Sequence, residues 1–346
     1  MELIASLPAD TPLNDVASYA RRAETLGFDV LHVPETFHDP FVTSVLALAH
    51  TTTLVVRTSM VVAFPRSPMV TSYAAWDLAQ YSNGRFQLGL ASQVRGNIVG
   101  RYSTTWTDPV GQLRDYIGSV RAIFTAFQEG SGLHYEGPHY RFDRLQPYFD
   151  PGPIDCAPPS FWTGGVNRGM CALAGEVSDG FVCHPAASHP RYLEARIRPA
   201  LRAGAAGAGR TDSGPRIVVN VRPLVGRTCD EVDACRDERR RELAFLYSTP
   251  AYHRQLELLD LPDLGPKLTE MVAAREWASL PSLLTNDVLD RLLPAGTWGE
   301  LPGILGEWYG SHCDGISLGL SSDPAEDDRI ERFVQETKMI PPLHIP

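Results

Sequence analysis

The sequence predicts an α/β fold, a (β/α)8 TIM barrel with insertions, and three observations carry that expectation. Strand and helix patterns alternate from the first residues to the last. Eight strand patterns, each followed by a helical one, fit within 346 residues. The first strand is followed by Pro8-Ala9-Asp10-Thr11-Pro12. A doubly wound open sheet, the structural alternative, usually carries a Gly-rich turn there.

The elements follow in chain order. Residues 2–7 read as a strand, and 14–26 as a helix with Val16, Tyr19, Ala20, Ala23 and Leu26 at helical spacing, stopped by Gly27. Residues 29–33 are a strand, 43–50 a short helix, and 54–63 one long apolar, β-branched strand. Residues 68–82 form a helix with Pro68 in its first turn, and 85–91 the fourth strand after a turn at Gly84. In that strand Phe86, Leu88 and Leu90 alternate, while Gly89 and Ala91 leave its end sterically open for a flat ligand.

Residues 110–129 make a helix with Leu113, Ile117, Val120, Ile123, Phe124 and Phe127 on one stripe. The Gly-, Pro- and Tyr-rich residues 130–158 break the rhythm and read as an insertion with a short hairpin, 133–135 against 139–142. Alternation resumes with strands at 160–163, 179–182 and 216–225, and helices at 168–176, 190–203 and 230–247. Residues 248–310 are mostly helical, more than a crossover requires, so a second insertion or lid lies there. A last strand, 314–320, and a helix, 324–338, complete a single domain spanning 1–346.

Composition excludes several functions. A net charge of −10 argues against nucleic acid or an anionic membrane as partner. The run Arg239-Arg240-Arg241 sits among acidic residues and reads as a solvated helix face. No apolar segment approaches the roughly 20 residues that span a bilayer. The six cysteines are scattered, with no zinc-ligand spacing, which predicts free buried thiols, a cytoplasmic location and no metal site.

In a barrel of this kind the site lies at the C-terminal strand ends. After strand two, Glu35, His38 and Asp39 place carboxylates beside an imidazole, a group able to move a proton near neutral pH. The plainer reading makes Asp39 a helix cap and His38 a loop residue. After strand five, Gly164-Gly165-Val166-Asn167-Arg168 precedes a helix whose first N–H groups, with Arg168, suit a phosphate. No G-x-S-x-G elbow is present, so Ser92 reads as a polar contact to a cofactor ring rather than a nucleophile. Trp76, Trp106 and Trp162 read as core or pocket walls.

Several stretches together resemble the luciferase-like flavin and deazaflavin oxidoreductases, most closely the coenzyme F420-dependent subgroup. They are Ala23–Asp29 (Ala-Glu-Thr-Leu-Gly-Phe-Asp), Pro34–Phe41, Val62–Pro68, Gly84–Gln93, Leu173–Glu176, Ser178–Phe181 and Ser248–Tyr252. The resemblance implies a TIM barrel, usually dimeric, with a flavin-like ring over the C-terminal mouth. It implies a non-proline cis peptide bulge behind the ring at Ser59–Met60, a ring lined by Ala91, Ser92 and Gln93, and a phosphate held by Gly165, Val166, Asn167 and Arg168. Asn167-Arg168 stands where the subgroup usually has Gly-Pro, though Asn tolerates the left-handed φ that would keep the turn. Ala91 stands where Gly is usual, and Asn97 near where relatives often place a His.

The expectation is an F420-dependent oxidoreductase acting on a small organic substrate, with Glu35 or His38 as the proton group. An FMNH2-dependent two-component monooxygenase is the alternative. A redox-inactive barrel with a binding or non-redox role is the third reading, kept open by Asn97, Asn167 and Arg168. The expected assembly is a homodimer.

Overall fold

The computed structural model describes residues 1–210 and 214–344. The strands are β1 (Glu2–Ser6), β2 (Val30–Val33), β3 (Val55–Thr58), β4 (Val61–Val62), β5 (Phe86–Ala91), β6 (Tyr135–Glu136), β7 (Arg141–Phe142), β8 (Phe161–Gly165), β9 (Gly180–Cys183), β10 (Arg216–Asn220), β11 (Leu224–Gly226), β12 (Ala295–Thr297) and β13 (Gly315–Gly319). The main sheet runs β3-β2-β1-β13-β10-β9-β8-β5-β4, and β3 also pairs with β5. That last pairing closes the sheet into the expected eight-stranded parallel barrel, with β3 and β4 serving as one interrupted strand.

The chain divides into two compact units: Ile4–Val182 with Ala200–Arg216, and Met1–Leu3, Cys183–Pro199 and Ile217–Pro346. In the first, the stripe on the helix Pro109–Glu129 is buried as expected, and Trp76 packs on Phe124 and Phe127 with ring centroids 5.2 and 5.5 Å apart. The helix Leu13–Thr25 stops before Gly27 at φ +85°, and the helix Pro68–Ser82 before Asn83 and Gly84, both at positive φ. The hairpin β6–β7 is organised by Asp115, which is 4% exposed. Its carboxylate accepts from Tyr135 Oη at 2.6 Å and from the backbone N–H groups of His139 and Tyr140 at 2.6 and 2.9 Å. Trp162 carries the buried guanidinium of Arg57, 3.4 Å from its ring centroid.

The expected strand at 54–63 is broken. Val56 and Arg57 pair with Phe86 and Gln87, and then Val61 and Val62 pair with Leu90 and Ala91. One extra residue lies on the β3–β4 side, which is a bulge, and the Ser59–Met60 peptide within it is cis.

The second unit has its own core. Leu243, Ala244 and Tyr247 of the helix Cys229–Tyr247 pack with Leu224, Leu256, Leu268, Leu284, Leu289 and Leu292. The expected strand 216–225 is two strands, because Pro223 has no N–H for a ladder. Its second half, β11, pairs in parallel with β12, which sequence patterning did not anticipate. Arg240 is half-buried, not solvated: its Nε donates to the Leu284 carbonyl at 3.0 Å. No disulfide joins the six cysteines among the described residues; Cys171, Cys183 and Cys313 are buried and Cys229 is exposed. Among the described residues, no helix is long and apolar enough to cross a membrane.

Candidate functional site

The loop after β2 is organised by Glu35. Its carboxylate accepts from Val62 N at 2.7 Å, from Arg66 Nη1 at 2.8 and 2.9 Å, and from Tyr102 Oη at 3.0 Å. Arg66 extends the network, donating through Nη2 to Asp39 at 2.9 Å and through Nη1 to the Val62 carbonyl at 3.1 Å. Burial works against the Arg66 charge, but its bonds to Glu35 and Asp39 outweigh it and raise its pKa. Burial and the neighbouring Glu35 both raise the pKa of Tyr102, so the phenol keeps its proton and donates. A carboxylate that accepts from a cation, an amide and a phenol is fixed in place by all three.

Asp39 takes the cap position that the plainer reading gave it. Its Oδ1 accepts from Phe41 N at 2.9 Å and Val42 N at 3.3 Å, at the start of the helix Pro40–Leu48. His38 is half-buried, and its ring makes no hydrogen bond among the described residues.

The bulge is held from behind by Thr58. Its hydroxyl donates to the Gly89 carbonyl at 3.1 Å and accepts from Gly89 N at 2.8 Å. A Cβ on Gly89 would strike the Thr58 carbonyl oxygen and come within 2.6 Å of Met60 Sδ. The space beside Gly89 is thus taken by the bulge itself, a correction to the expectation that it opens the strand end to a ligand. Gly164 serves the same packing, since a Cβ there would meet the Val182 carbonyl at 3.0 Å and Met60 Cε at 3.5 Å. Ser59, Met60, Ala91, Gly165 and Val166 stay half-buried at these strand ends.

Gln93 has a left-handed φ of +60°. Its amide oxygen accepts from Val94 N at 2.9 Å and Asn97 Nδ2 at 3.2 Å, fixing the start of the short helix Arg95–Gly100. Ser92, 8% exposed, donates to the Gln93 carbonyl at 3.2 Å.

Asn167 caps the helix Arg168–Val177, accepting from Met170 N at 2.9 Å. Its φ of −85° is extended, so the left-handed turn expected there is not used. The cap leaves the N–H groups of Arg168 and Gly169, which have no intrahelical acceptor, pointing out of the first turn beside an exposed Arg168. This donor set fits a phosphate.

The model of the luciferase-like monooxygenase family matches residues 2–314. The chain belongs to this family. An uncharacterized protein of Mycobacterium tuberculosis is 34% identical over 316 residues, covering 91% of each chain. Among solved structures, the luciferase-like chain resembles the coenzyme F420-dependent tetrahydromethanopterin reductase of Methanopyrus kandleri, with a TM-score of 0.79, 17% identity and coverage of 97% and 98%. It also resembles the EDTA monooxygenase of Chelativorans, with a TM-score of 0.71, 16% identity and coverage of 99% and 95%. These two likenesses establish the fold, and the family makes this luciferase-like chain an oxidoreductase.

Sequence reasoning named Glu35 but missed its partners. Arg66 and Tyr102 lie 31 and 67 positions further on, with no local pattern linking them to it. The placement of Arg66 just past strand three was the one available signal.

Proposed function

We propose that this luciferase-like protein is a coenzyme F420-dependent oxidoreductase that passes a hydride between the deazaflavin and a small organic substrate. Reduction of C=C or C=N, or oxidation of an alcohol, fits equally. The observation that carries the reading is the bulge between β3 and β4, paired onward to Ala91 and braced by Thr58 against Gly89. Support also comes from the F420-dependent reductase of Methanopyrus kandleri, whose TM-score of 0.79 exceeds the 0.71 of the monooxygenase.

When bound, the deazaflavin would supply a two-electron hydride donor or acceptor. Ser59, Met60, Ala91 and Ser92 would flank its ring, and Gly165 and Val166 would stand at the start of the loop that holds its phosphate. Arg168 and the first-turn N–H groups, presented by the Asn167 cap, would hold its phosphate. Glu35 is a positioning residue in this reading, holding Val62, Arg66 and Tyr102 in place. Gln93 is another, fixing the loop after β5. His38, whose ring makes no hydrogen bond among the described residues, is the group that exchanges a proton with substrate. A homodimer is part of the proposal, supported by Val42, Val45 and Val70, which lie 51%, 45% and 61% exposed on the helices Pro40–Leu48 and Pro68–Ser82.

The test is a titration of the purified protein with F420 and FMN, each oxidised and reduced. F420 binding at least about tenfold tighter than FMN is expected, a difference of about 1.4 kcal/mol. Selective FMN binding with oxygen uptake would overturn the cofactor assignment. Binding of neither would overturn the redox reading.

A further inference from the structure

The unit formed by Cys183–Pro199 and Ile217–Pro346 holds a cleft of its own, with a cavity of about 30 Å³ partly open to solvent. A water occupies roughly 10–15 Å³ on this measure, so the cavity admits two or three non-hydrogen atoms. The cleft lies where Asn220, Val221 and Arg222 leave the C-terminal end of β10, against Leu243 and Tyr247 of the helix Cys229–Tyr247.

Gln255, on the helix His253–Leu258, lines this cleft and is 1% exposed. Neither its amide nitrogen nor its amide oxygen has a hydrogen-bond partner among the described residues. A buried polar group left this way costs roughly 1–3 kcal/mol, and folded proteins rarely keep one without use. Tyr247 and Tyr309 also line the cleft, and their hydroxyls make no hydrogen bond among the described residues. Burial raises the pKa of both phenols, so each keeps its proton and can donate.

The other charged and titratable groups of the wall are Arg222, Glu242 and His189. Arg222 is ion-paired with Glu242, whose carboxylate also pairs with Arg239. His189 accepts from Arg191 N at 3.1 Å through Nδ1, and burial with the nearby Arg191 charge lowers its pKa to about 4, so the ring is neutral near pH 7. Leu259, Leu292 and Leu293 complete the wall with apolar surface.

We propose that this cleft is a binding pocket for the uncharged carboxamide end of a small organic ligand. A carboxamide has three non-hydrogen atoms and presents an acceptor and a donor side by side. It pairs reciprocally with Gln255: Nε2–H donates to the ligand carbonyl, and the ligand N–H donates to Oε1. The match holds whichever way the Gln255 amide is turned. A carboxylate would face Oε1 with a second acceptor, and an ammonium would face Nε2–H with a second donor. The inference stands apart from the cofactor assigned above, because the pocket needs no cofactor to bind its ligand.

The test uses ligand-observed NMR on the full chain without cofactor, with propionamide, sodium propionate and 1-propanol as probes. Saturable propionamide binding in the millimolar range is expected, with propionate and 1-propanol at least tenfold weaker. Gln255→Leu is expected to abolish propionamide binding while leaving the unfolding midpoint unchanged or higher, since it removes an unpartnered amide. Gln255→Met, closer in shape, is the second variant. Three results would overturn the proposal: no propionamide binding by the native chain, equal binding of propionate, or undiminished binding by either variant. Failure of both variants to fold would also overturn it, because it would make the Gln255 amide a structural partner.

Discussion

Arg66 spans the Glu35 carboxylate with a single nitrogen, its Nη1 lying 2.8 and 2.9 Å from the two oxygens, and so keeps Nη2 free for Asp39. The Glu35 side chain is only 6% exposed, so this cation is what makes its charge tolerable. Arg66→Ala should therefore destabilise the protein by about 3 kcal/mol in urea unfolding at pH 7. Arg66→Lys should recover only part of that, because an ammonium cannot reach both carboxylates in the guanidinium's planar geometry. Equal stability of Arg66→Ala and the native chain would show the pair to be idle.

Gly89→Ala should lower stability by about 2 kcal/mol, since its Cβ would strike the Thr58 carbonyl. It should weaken F420 binding as well, by displacing Met60. Thr58→Val keeps the shape but leaves Gly89 N unpaired, and should cost about 1–2 kcal/mol. Urea midpoints and a cofactor titration read both effects.

Asn167→Ala removes a helix cap and should cost about 1 kcal/mol. Asn167→Asp keeps the cap, so its melting temperature should match the native one, while the added negative charge weakens F420 binding. An Asn167→Asp protein that binds F420 as tightly as the native chain would remove the phosphate from this helix start.

Stability should fall in mild acid. Burial, then the charge of Arg222, lowers the pKa of His184 to about 4, and His189 is likewise held at about 4. The unfolded chain protonates both near 6.5. It therefore binds more protons than the native state between those values, and stability that is complete above pH 6.5 is lost as pH drops toward 4. Each histidine should contribute up to about 3 kcal/mol of this loss. Urea midpoints at pH 7.5 and 4.5 measure it, and His184→Phe, which keeps a ring against Tyr252, should flatten the slope.

Local patterning read the eight barrel strands and the long helices because burial there follows a simple period. The stripe from Leu113 to Phe127 is an example. The break in the third strand escaped that reading because Val56, Val61 and Val62 stay apolar across the bulge, and a register shift leaves no mark on composition. The strand β12 was missed for its length, three residues, and because its partner β11 lies some 70 positions earlier. Asn167 was legible as a loop residue at a helix start, but its extended φ was not, since Asn is at home in both conformations. Gln255 carries no signal at all in sequence: what singles it out is the absence of partners around a buried amide.

Asp39 gives its two oxygens to different tasks, Oδ1 to the N–H groups of Phe41 and Val42 and Oδ2 to Arg66. Ser, Thr or Asn could serve the helix start alone, and Glu could serve the guanidinium alone. Only a short side chain carrying a full negative charge serves both. Drift at this position is therefore confined to a single amino acid for as long as Arg66 stays in place, and descendants that abandon one of the two should be found to have abandoned both.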